Sequence, residues 1–279
     1  MALSVLNNIP ALVAQDQLSQ TQLNLQKTLY QLSSGSRINS GADDAAGLAI
    51  ANGLQANITA LTQSASNAND GVGALQVADG ALSQVTTLLN RAITLGTEAA
   101  TGTVSSTQRV ALDAEYQSIL SEINSIGSGT TFNGGPVFTT AVTSIFLSDS
   151  TAAGTSIIGV GTGLLSTTVL GLNGTAMTGT PGAGGAADPQ ATLTLINTAI
   201  GTIAGTRGKI GAGINQLQAA NNVMNNEIQN LTTAEDNITA ADIPTVVGNM
   251  SKYSILEQTG IAALAQANAA QQQVLSLLH

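Results

Sequence analysis

The chain has 279 residues, of which only 8% are charged and 2% are aromatic, and its formal net charge is −9. Typical soluble proteins are about 25% charged, so this composition excludes an ordinary globule with an aromatic core. Cysteine is absent and the single histidine is His279, which excludes disulfides, thiol chemistry and histidine-based catalysis or metal binding. Seven basic residues in an acidic chain argue against nucleic acid as a partner.

Both ends of the chain are amphipathic and poor in charge. Near the start, Leu18, Leu25 and Leu32 recur every seven residues, with Leu29 and Tyr30 between them. The apolar side of the last helix contains Ile261, Leu264, Ala267, Val274, Leu275 and Leu278. Isolated helices of this kind are marginal in water, so we expect both ends to be association surfaces. Packing of the two ends on each other within a monomer is the alternative.

The start of the chain and its long uncharged stretches carry no targeting or membrane signal. The first basic residue is Lys27, and Pro10 interrupts the apolar residues before it, so no Sec-type signal peptide is expected. The uncharged stretches are rich in Ser, Thr, Asn and Gly instead of running 18 or more apolar residues. We therefore expect no membrane insertion.

An apolar spacing of 4,3,4,3 is the strongest pattern in the chain. It runs from Leu54 to Ile93 with interruptions at Asp79 and Thr86, and it predicts a helix of roughly forty residues with a coiled-coil seam. Glycines inside this run, such as Gly71, fit either the close approach of a neighbouring helix or a locally weak helix.

Two further runs of the same kind predict two more long helices. One covers residues 112–126 and is expected to stop at Gly127, a residue typical of helix C-termini. The other covers residues 193–231, with interruptions at Arg207 and Asn221. Three long helices thus flank a different middle region.

The middle of the chain, about residues 130–188, is rich in Gly, Thr, Ser and Ala. Short β-branched clusters at 143–147 and 168–172 predict strands and turns, and residues 181–189 are expected to be the loop that leads back to the helices. The predicted fold is mainly α, with long coiled-coil-like rods from both chain ends and a small β-rich insert.

Few residues offer catalytic or binding chemistry. Asp43 and Asp44 are the only adjacent carboxylates, and they precede a helical run, where negative charge complements the helix N-terminus. Helix capping is therefore predicted instead of acid/base catalysis. Residues 159–163 contain three glycines without the spacing of a phosphate-binding loop, and they predict a turn. No catalytic, cofactor or metal site is predicted.

A motif at residues 32–51, LSSGSRINSGADDAAGLAIA, is distinctive, and related pieces occur at 67–71, 131–135 and 253–260. Together they resemble bacterial flagellin, the subunit of the flagellar filament. The residues of this family motif are Ser33, Gly35, Arg37, Ile38, Asn39, Asp43, Asp44 and Gly47.

The resemblance implies a structural subunit that polymerises into the flagellar filament for swimming motility. Residues 1–41 and 235–279 would form an inner helical domain at the filament core, residues 42–135 and 190–234 a surrounding rod domain, and residues 136–189 a variable insert that faces water. A hook–filament junction protein is the alternative, because it shares similar terminal helices. An enzyme or carbohydrate-binding module in the insert would need clustered acids or aromatics, which the insert lacks.

The resemblance also implies partners and a location. The partners are copies of the chain itself, the flagellar type III export apparatus with an export chaperone, and the filament cap and hook-junction proteins. Export without a cleaved signal would place the protein outside the cell, in the filament. Some flagellins activate an animal Toll-like receptor, and Arg91, Leu95 and Glu115 match that receptor patch. Because the flanking residues match poorly, weak activation is predicted.

Overall fold

The computed structural model describes residues 8–148 and 157–276. Its two short antiparallel sheets pair Thr131–Phe132 with Gly135–Pro136 and Thr143–Phe146 with Ile157–Val160. The mainly helical fold with a small β-rich insert is confirmed. In chain order, the elements of the described residues are α1 (Ile9–Ser34), α2 (Ala45–Ala99), α3 (Ser106–Gly129), β1 (Thr131–Phe132), β2 (Gly135–Pro136), β3 (Thr143–Phe146), β4 (Ile157–Val160), α4 (Pro189–Thr239) and α5 (Ile243–Ser276).

The chain forms two compact units. The first comprises Met1–Ala56 and Asn230–His279, and the second comprises Asn57–Gln229. The long helices α2 and α4 each contribute to both units. The finer domain boundaries implied by the resemblance stay a prediction.

The first unit is built around α1 and α5, which pack against each other. At the start of α1, the side chain of Asn8 accepts a hydrogen bond from the Ala11 amide at 3.1 Å, and Pro10 occupies the first turn. A proline costs little there, because the first amides of a helix have no intrahelical acceptor. α1 ends at Ser34, and the Gly35 that follows has a φ of +70°, in the left-handed region that favours glycine.

The second unit has an extensive apolar core between α2, α3 and α4. The predicted spacing accounts for it, since most of its positions in α2 are buried and the rest are half-buried. Burying a large aliphatic side chain contributes about 1.5–3 kcal/mol, so this core can hold the unit together. Its most deeply buried side chains are Leu82, Val85, Leu89, Leu95, Tyr116, Ile123, Ile196, Ile210 and Leu217.

Asp79 interrupts the apolar spacing of α2, Arg207 interrupts that of α4, and the two side chains form an ion pair. In this ion pair, Nε of Arg207 lies 2.7 Å from Oδ1 of Asp79, and Nη2 lies 3.1 Å from Oδ2. The hydrogen bond from the guanidinium lowers the pKa of Asp79, and the carboxylate raises the pKa of Arg207. Because a guanidinium fork matches a carboxylate in two places, the pair helps to align α2 with α4.

Two helical glycines lie where another part of the second unit passes close. A Cβ on Gly71 would collide with the side chain of Ile145, and a Cβ on Gly127 would collide with the carbonyl oxygen of Leu165. Close approach is therefore the reason for glycine at both positions. The predicted stop at Gly127 is wrong, since α3 continues past it to Gly129.

The short strands agree with only part of the sequence prediction. β3 covers most of the cluster at 143–147, but residues 168–172 form a turn, in which the Leu172 amide donates to the Thr167 carbonyl at 2.8 Å. The glycine-rich segment at 159–163 begins inside β4, so the predicted turn is wrong for its first two residues.

Part of the predicted water-facing insert belongs to the core of the second unit. Leu172 and Met177 are fully buried. The hydroxyls of Tyr116 in α3 and Thr175 lie 2.6 Å apart in a buried hydrogen bond, and burial raises the pKa of Tyr116. The expectation that the whole insert faces water is therefore wrong for this segment, because its leucines and methionine complete the core around α3.

Candidate functional site

No chemical site stands out in the parts of the chain that the structure describes. Residues 8–148 and 157–276 contain no group of three or more His, Asp or Glu side chains that could hold a metal ion. Among the helices of these residues, none has an apolar stretch that is long enough to cross a membrane. The surfaces of the helices are therefore the candidate functional features.

α1 and α5 run antiparallel and pack against each other, and the hydrogen bonds described between them are weak. The Asn8 side-chain amide donates to the Ala267 carbonyl at 3.3 Å, and the Gln22 amide donates to the Glu257 carboxylate at 3.4 Å. Between these points, Gly260 lies against the side chain of Leu18. Both hydrogen bonds are long, and the second is exposed, so they contribute little to stability.

The residues that α1 buries are polar. They are Thr21 and Thr28, and their hydroxyls donate to the Gln17 and Asn24 carbonyls of the same helix at 2.8 Å. These hydroxyls are satisfied within α1 and do not bond to α5. The leucines of the seven-residue repeat, Leu18, Leu25 and Leu32, are half-buried, so no large apolar side chain of α1 is fully buried.

Large apolar side chains on α1 and α5 remain exposed instead. Tyr30 is 72% exposed and Val13 is 62% exposed. Covering such side chains with another molecule would remove apolar surface from water, which is favourable. We name these residues the exposed apolar face: Ile9, Leu12, Val13, Leu23, Leu29, Tyr30, Ile255, Leu256 and Ile261.

The residues that the sequence assigns to assembly divide between exposed and half-buried positions. Leu29 and Ile261 belong to the exposed apolar face, and Leu18, Leu25, Leu32 and Leu264 are half-buried. Val274 and Leu275 lie in the last turns of α5, and Leu278 lies outside the described residues. The sequence analysis noted Tyr30 beside Leu29 without assigning it to assembly, and it missed Val13, which precedes the repeated leucines.

The motif between α1 and α2 folds into a compact turn. Ser33 is exposed in the last turn of α1, and Gly35 ends that helix. Ile38 is buried, and a Cβ on Gly47 would lie 2.8 Å from its Cδ1 atom. Arg37 binds the end of α4, since its Nη2 donates to the Ile238 carbonyl at 2.6 Å.

The two adjacent carboxylates in this turn have different roles. Asp44 caps α2 as predicted, accepting from the Gly47 amide at 2.9 Å. Asp43 does not cap the helix: it accepts from the Asn39 amide at 3.2 Å and lies 2.6 Å from Nζ of Lys27. The hydrogen bond from Lys27, then that from Asn39, holds the pKa of Asp43 down at about 2.

The residues assigned to receptor recognition lie in the second unit. Arg91 and Glu115 are exposed and form an ion pair at 2.7 Å, which lowers the pKa of Glu115 and raises that of Arg91. Leu95 is only 1% exposed. The structure thus brings Arg91 and Glu115 together on the surface and places the Leu95 side chain in the core.

Comparison with known proteins places the chain among filament proteins. Residues 5–143 match the family described as the bacterial flagellin N-terminal helical region, and residues 193–278 match the bacterial flagellin C-terminal helical region. The flagellar filament 33 kDa core protein of Treponema phagedenis is 33% identical over 98% of both chains. A flagellin of Halalkalibacterium halodurans is 31% identical, again over 98% of both chains.

Among solved structures, Bacillus cereus flagellin is similar to this chain. Its TM-score is 0.48 at 28% sequence identity, and the similarity covers 57% of this chain and 88% of the other. The full-length sequence relatives and the two family matches carry the assignment. The chain belongs to the bacterial flagellin family.

Proposed function

We propose that this flagellin joins its neighbours in the filament through the exposed apolar face of α1 and α5. As a member of the family, the chain is a structural subunit that polymerises into the flagellar filament, and it is not an enzyme. The proposal concerns which surface makes the central subunit contact.

The observation that supports this contact most strongly is the difference between the residues that α1 buries and those that it exposes. Its buried positions are Thr21 and Thr28, while Leu12, Val13 and Tyr30 face outward. Removing one such side chain from water is worth about 1.5–3 kcal/mol. A second copy that covers this face would therefore recover burial that the single chain does not achieve.

A filament also requires that the contact does not close on itself. Contacts between two different surface patches of identical subunits generate an open helical assembly when the rotation between subunits does not close a ring. In the proposed layout, residues 1–41 and 235–279 form the filament core, residues 42–135 and 190–234 form the rod around it, and the exposed part of residues 136–189 faces outward. The apolar terminal helices support the core position.

The remaining partners and the location are proposed on family membership alone. We infer that the chain leaves the cell through the flagellar type III apparatus with the help of an export chaperone, and that it meets the filament cap and the hook-junction proteins outside the cell. The alternative role, a hook–filament junction protein, has less support, because the relatives named above are a filament core protein and a flagellin.

Recognition by an animal Toll-like receptor is a second, weaker proposal. Arg91 and Glu115 are exposed but already paired with each other, so a receptor would have to compete with this ion pair. The buried position of Leu95 leaves fewer anchors for a contact. We therefore expect the monomer to have low potency in a receptor reporter assay, and Arg91→Ala to lower that potency further. Full potency of the unaltered monomer would refute weak recognition.

A matched pair of substitutions tests the proposed subunit contact. Val13→Ser removes an apolar side chain that is 62% exposed on α1, and Val169→Ser removes one that is 52% exposed in the insert. We expect Val13→Ser to raise the critical concentration for polymerisation about tenfold or more, and Val169→Ser to leave it unchanged. Sedimentation of filaments over a concentration series measures both, and equal effects of the two variants would refute the proposal.

A further inference from the structure

Two segments that lie about 200 residues apart in the chain are joined by a small backbone ladder in the first unit. Ser36 and Ala240 form an isolated antiparallel bridge. The Arg37 amide donates to the Thr239 carbonyl at 2.6 Å, and the Ala241 amide donates to the Gly35 carbonyl at 2.9 Å. We call residues 35–37 and 238–241 the clasp.

Side chains add further polar contacts to the clasp. Nη2 of Arg37 donates to the Ile238 carbonyl at 2.6 Å. The Ser36 hydroxyl has one hydrogen, which it shares between the Ile38 carbonyl oxygen at 2.8 Å and the Thr239 carbonyl oxygen at 3.0 Å. The carbonyls of Ile238 and Thr239 are in the last turn of α4, where carbonyl groups have no partner within the helix. A cation is also favourable there because of the negative end of the helix dipole.

The clasp joins the residues that follow α1 to the residues between α4 and α5. α1 ends at Ser34, α4 ends at Thr239, and α5 begins at Ile243. The left-handed Gly35 turns the chain out of α1 directly into the clasp. The clasp therefore ties the C-terminal end of α1 to the N-terminal end of its antiparallel partner α5.

α1 and α5 pack closely, but in the part of the chain that the structure describes their polar contacts do little to fix one alignment. Thr21 and Thr28, the residues that α1 buries, bond within their own helix, and the hydrogen bonds from Asn8 and Gln22 to α5 are long. Residues of a helix follow one another at 100° around the axis. A slip of α1 along α5 would therefore change which apolar side chains the pair presents together.

We propose that the clasp sets the register of α1 against α5, and that Arg37 is the positioning residue that keeps it closed. The proposal deepens the proposed function and rests on it, because a neighbouring subunit can match the exposed apolar face only if that face has one shape. Arg37 itself need not touch the neighbouring subunit. It acts through the end of α4, which leads into α5.

A removable covalent lock tests this role. The chain has no cysteine, so Ser36→Cys with Ala240→Cys introduces a single pair. Residues opposite each other in an antiparallel bridge have Cα atoms about 4.5–5.5 Å apart, which suits a disulfide. The lock is made with and without Arg37→Ala. Polymerisation of each protein, oxidised or reduced, is then followed by sedimentation and electron microscopy.

We expect Arg37→Ala to slow polymerisation about tenfold or more in the reduced state, because a charge-assisted hydrogen bond is lost. Oxidation should restore the rate to within about twofold of the locked protein that retains Arg37. Thermal unfolding of each full-length variant, followed by circular dichroism, verifies that the second unit is folded. This unit does not contain the clasp. Restoration by oxidation separates a positioning role from a general loss of stability.

Three results would overturn the inference. Arg37→Ala could polymerise at the normal rate, or it could be equally slow in both redox states, or the oxidised lock with Arg37 present could fail to polymerise because the clasp opens in the filament. A failure of the unaltered chain to form filaments would instead refute the proposed function. The two ideas thus fail in distinguishable ways.

Discussion

The second unit and the α1–α5 pair use similar residue types in opposite ways. In the second unit, Leu89, Tyr116 and Leu217 are completely buried. In α1, the buried residues are Thr21 and Thr28, the leucines of the seven-residue repeat are half-buried, and Val13 and Tyr30 are exposed. The comparison teaches that a repeat of leucines can predict a helix without predicting that its leucines are buried within the same chain.

This difference assigns stability and assembly to different parts of the molecule. Helices that bury few large apolar side chains are marginal in water, so α1 and α5 are expected to be disordered in the monomer and helical in the filament. The second unit has its own core and should fold before assembly. Changes in either part should therefore affect stability and assembly separately.

Removing residues 274–279 should give the largest effect. Residues 274–276 are the last of α5. We expect deletion of residues 274–279 to abolish polymerisation, because the sequence assigns Val274, Leu275 and Leu278 to the association surface. The second unit should unfold at an unchanged temperature. Electron microscopy and thermal circular dichroism measure the two properties, and normal filaments from the shortened chain would contradict the division.

A core substitution should affect stability strongly and an equivalent substitution on α1 should not. We expect Leu89→Ala to lower the free energy of unfolding of the second unit by about 3 kcal/mol, since it leaves a cavity at a fully buried position. Leu29→Ala removes a side chain that is 47% exposed, and it should change stability by less than about 0.5 kcal/mol. Urea unfolding of both monomers provides the comparison.

The buried part of the insert should behave like the helical core. Met177 is completely buried, and its neighbour Thr178 is exposed. Met177→Ala is expected to destabilise the second unit by about 2 kcal/mol, while Thr178→Ala serves as the control with almost no effect. If both variants unfold at the same urea concentration as the unaltered chain, this segment is not part of the core.

Features that depend on residues close together in the sequence could be predicted, whereas contacts between distant segments could not. The long helices and the Asp44 cap follow from local spacing. The clasp between Arg37 and Thr239 could not be predicted, because no local pattern links segments about 200 residues apart. Asp79 and Arg207 left a usable signal, since opposite charges interrupt the apolar spacing of two helices and then pair across them.

The errors in the insert have a similar cause. β-branched residues at 168–172 favour a strand locally, but burial of Leu170 and Leu172 is reached from a turn. Glycine at position 127 signals a helix end locally, whereas contact with the Leu165 carbonyl decides its role. For the candidate site, the sequence located the terminal helices but not which of their side chains stay exposed.

Acid should loosen the turn between α1 and α2, with the smallest of the expected effects. The pKa of Asp43 is lowered to about 2 from an ordinary value of 3.8, so its ionised form stabilises the turn above about pH 4 and this contribution is lost as the pH falls toward 2. Exchange of the Asn39 and Ser40 amides, which Asp43 accepts from, should accelerate across this range relative to intrinsic exchange. Asp43→Asn should remove that pH dependence.

Hydrogen exchange in the monomer and in the filament tests the central claim most directly. We predict that the amides of α2, α3 and α4 within the second unit are protected in both states. Those of α1 and α5 should exchange about 100-fold more slowly, or slower still, after polymerisation, because only the filament covers their exposed apolar face. Equal protection of α1 and α5 in the two states would contradict the account.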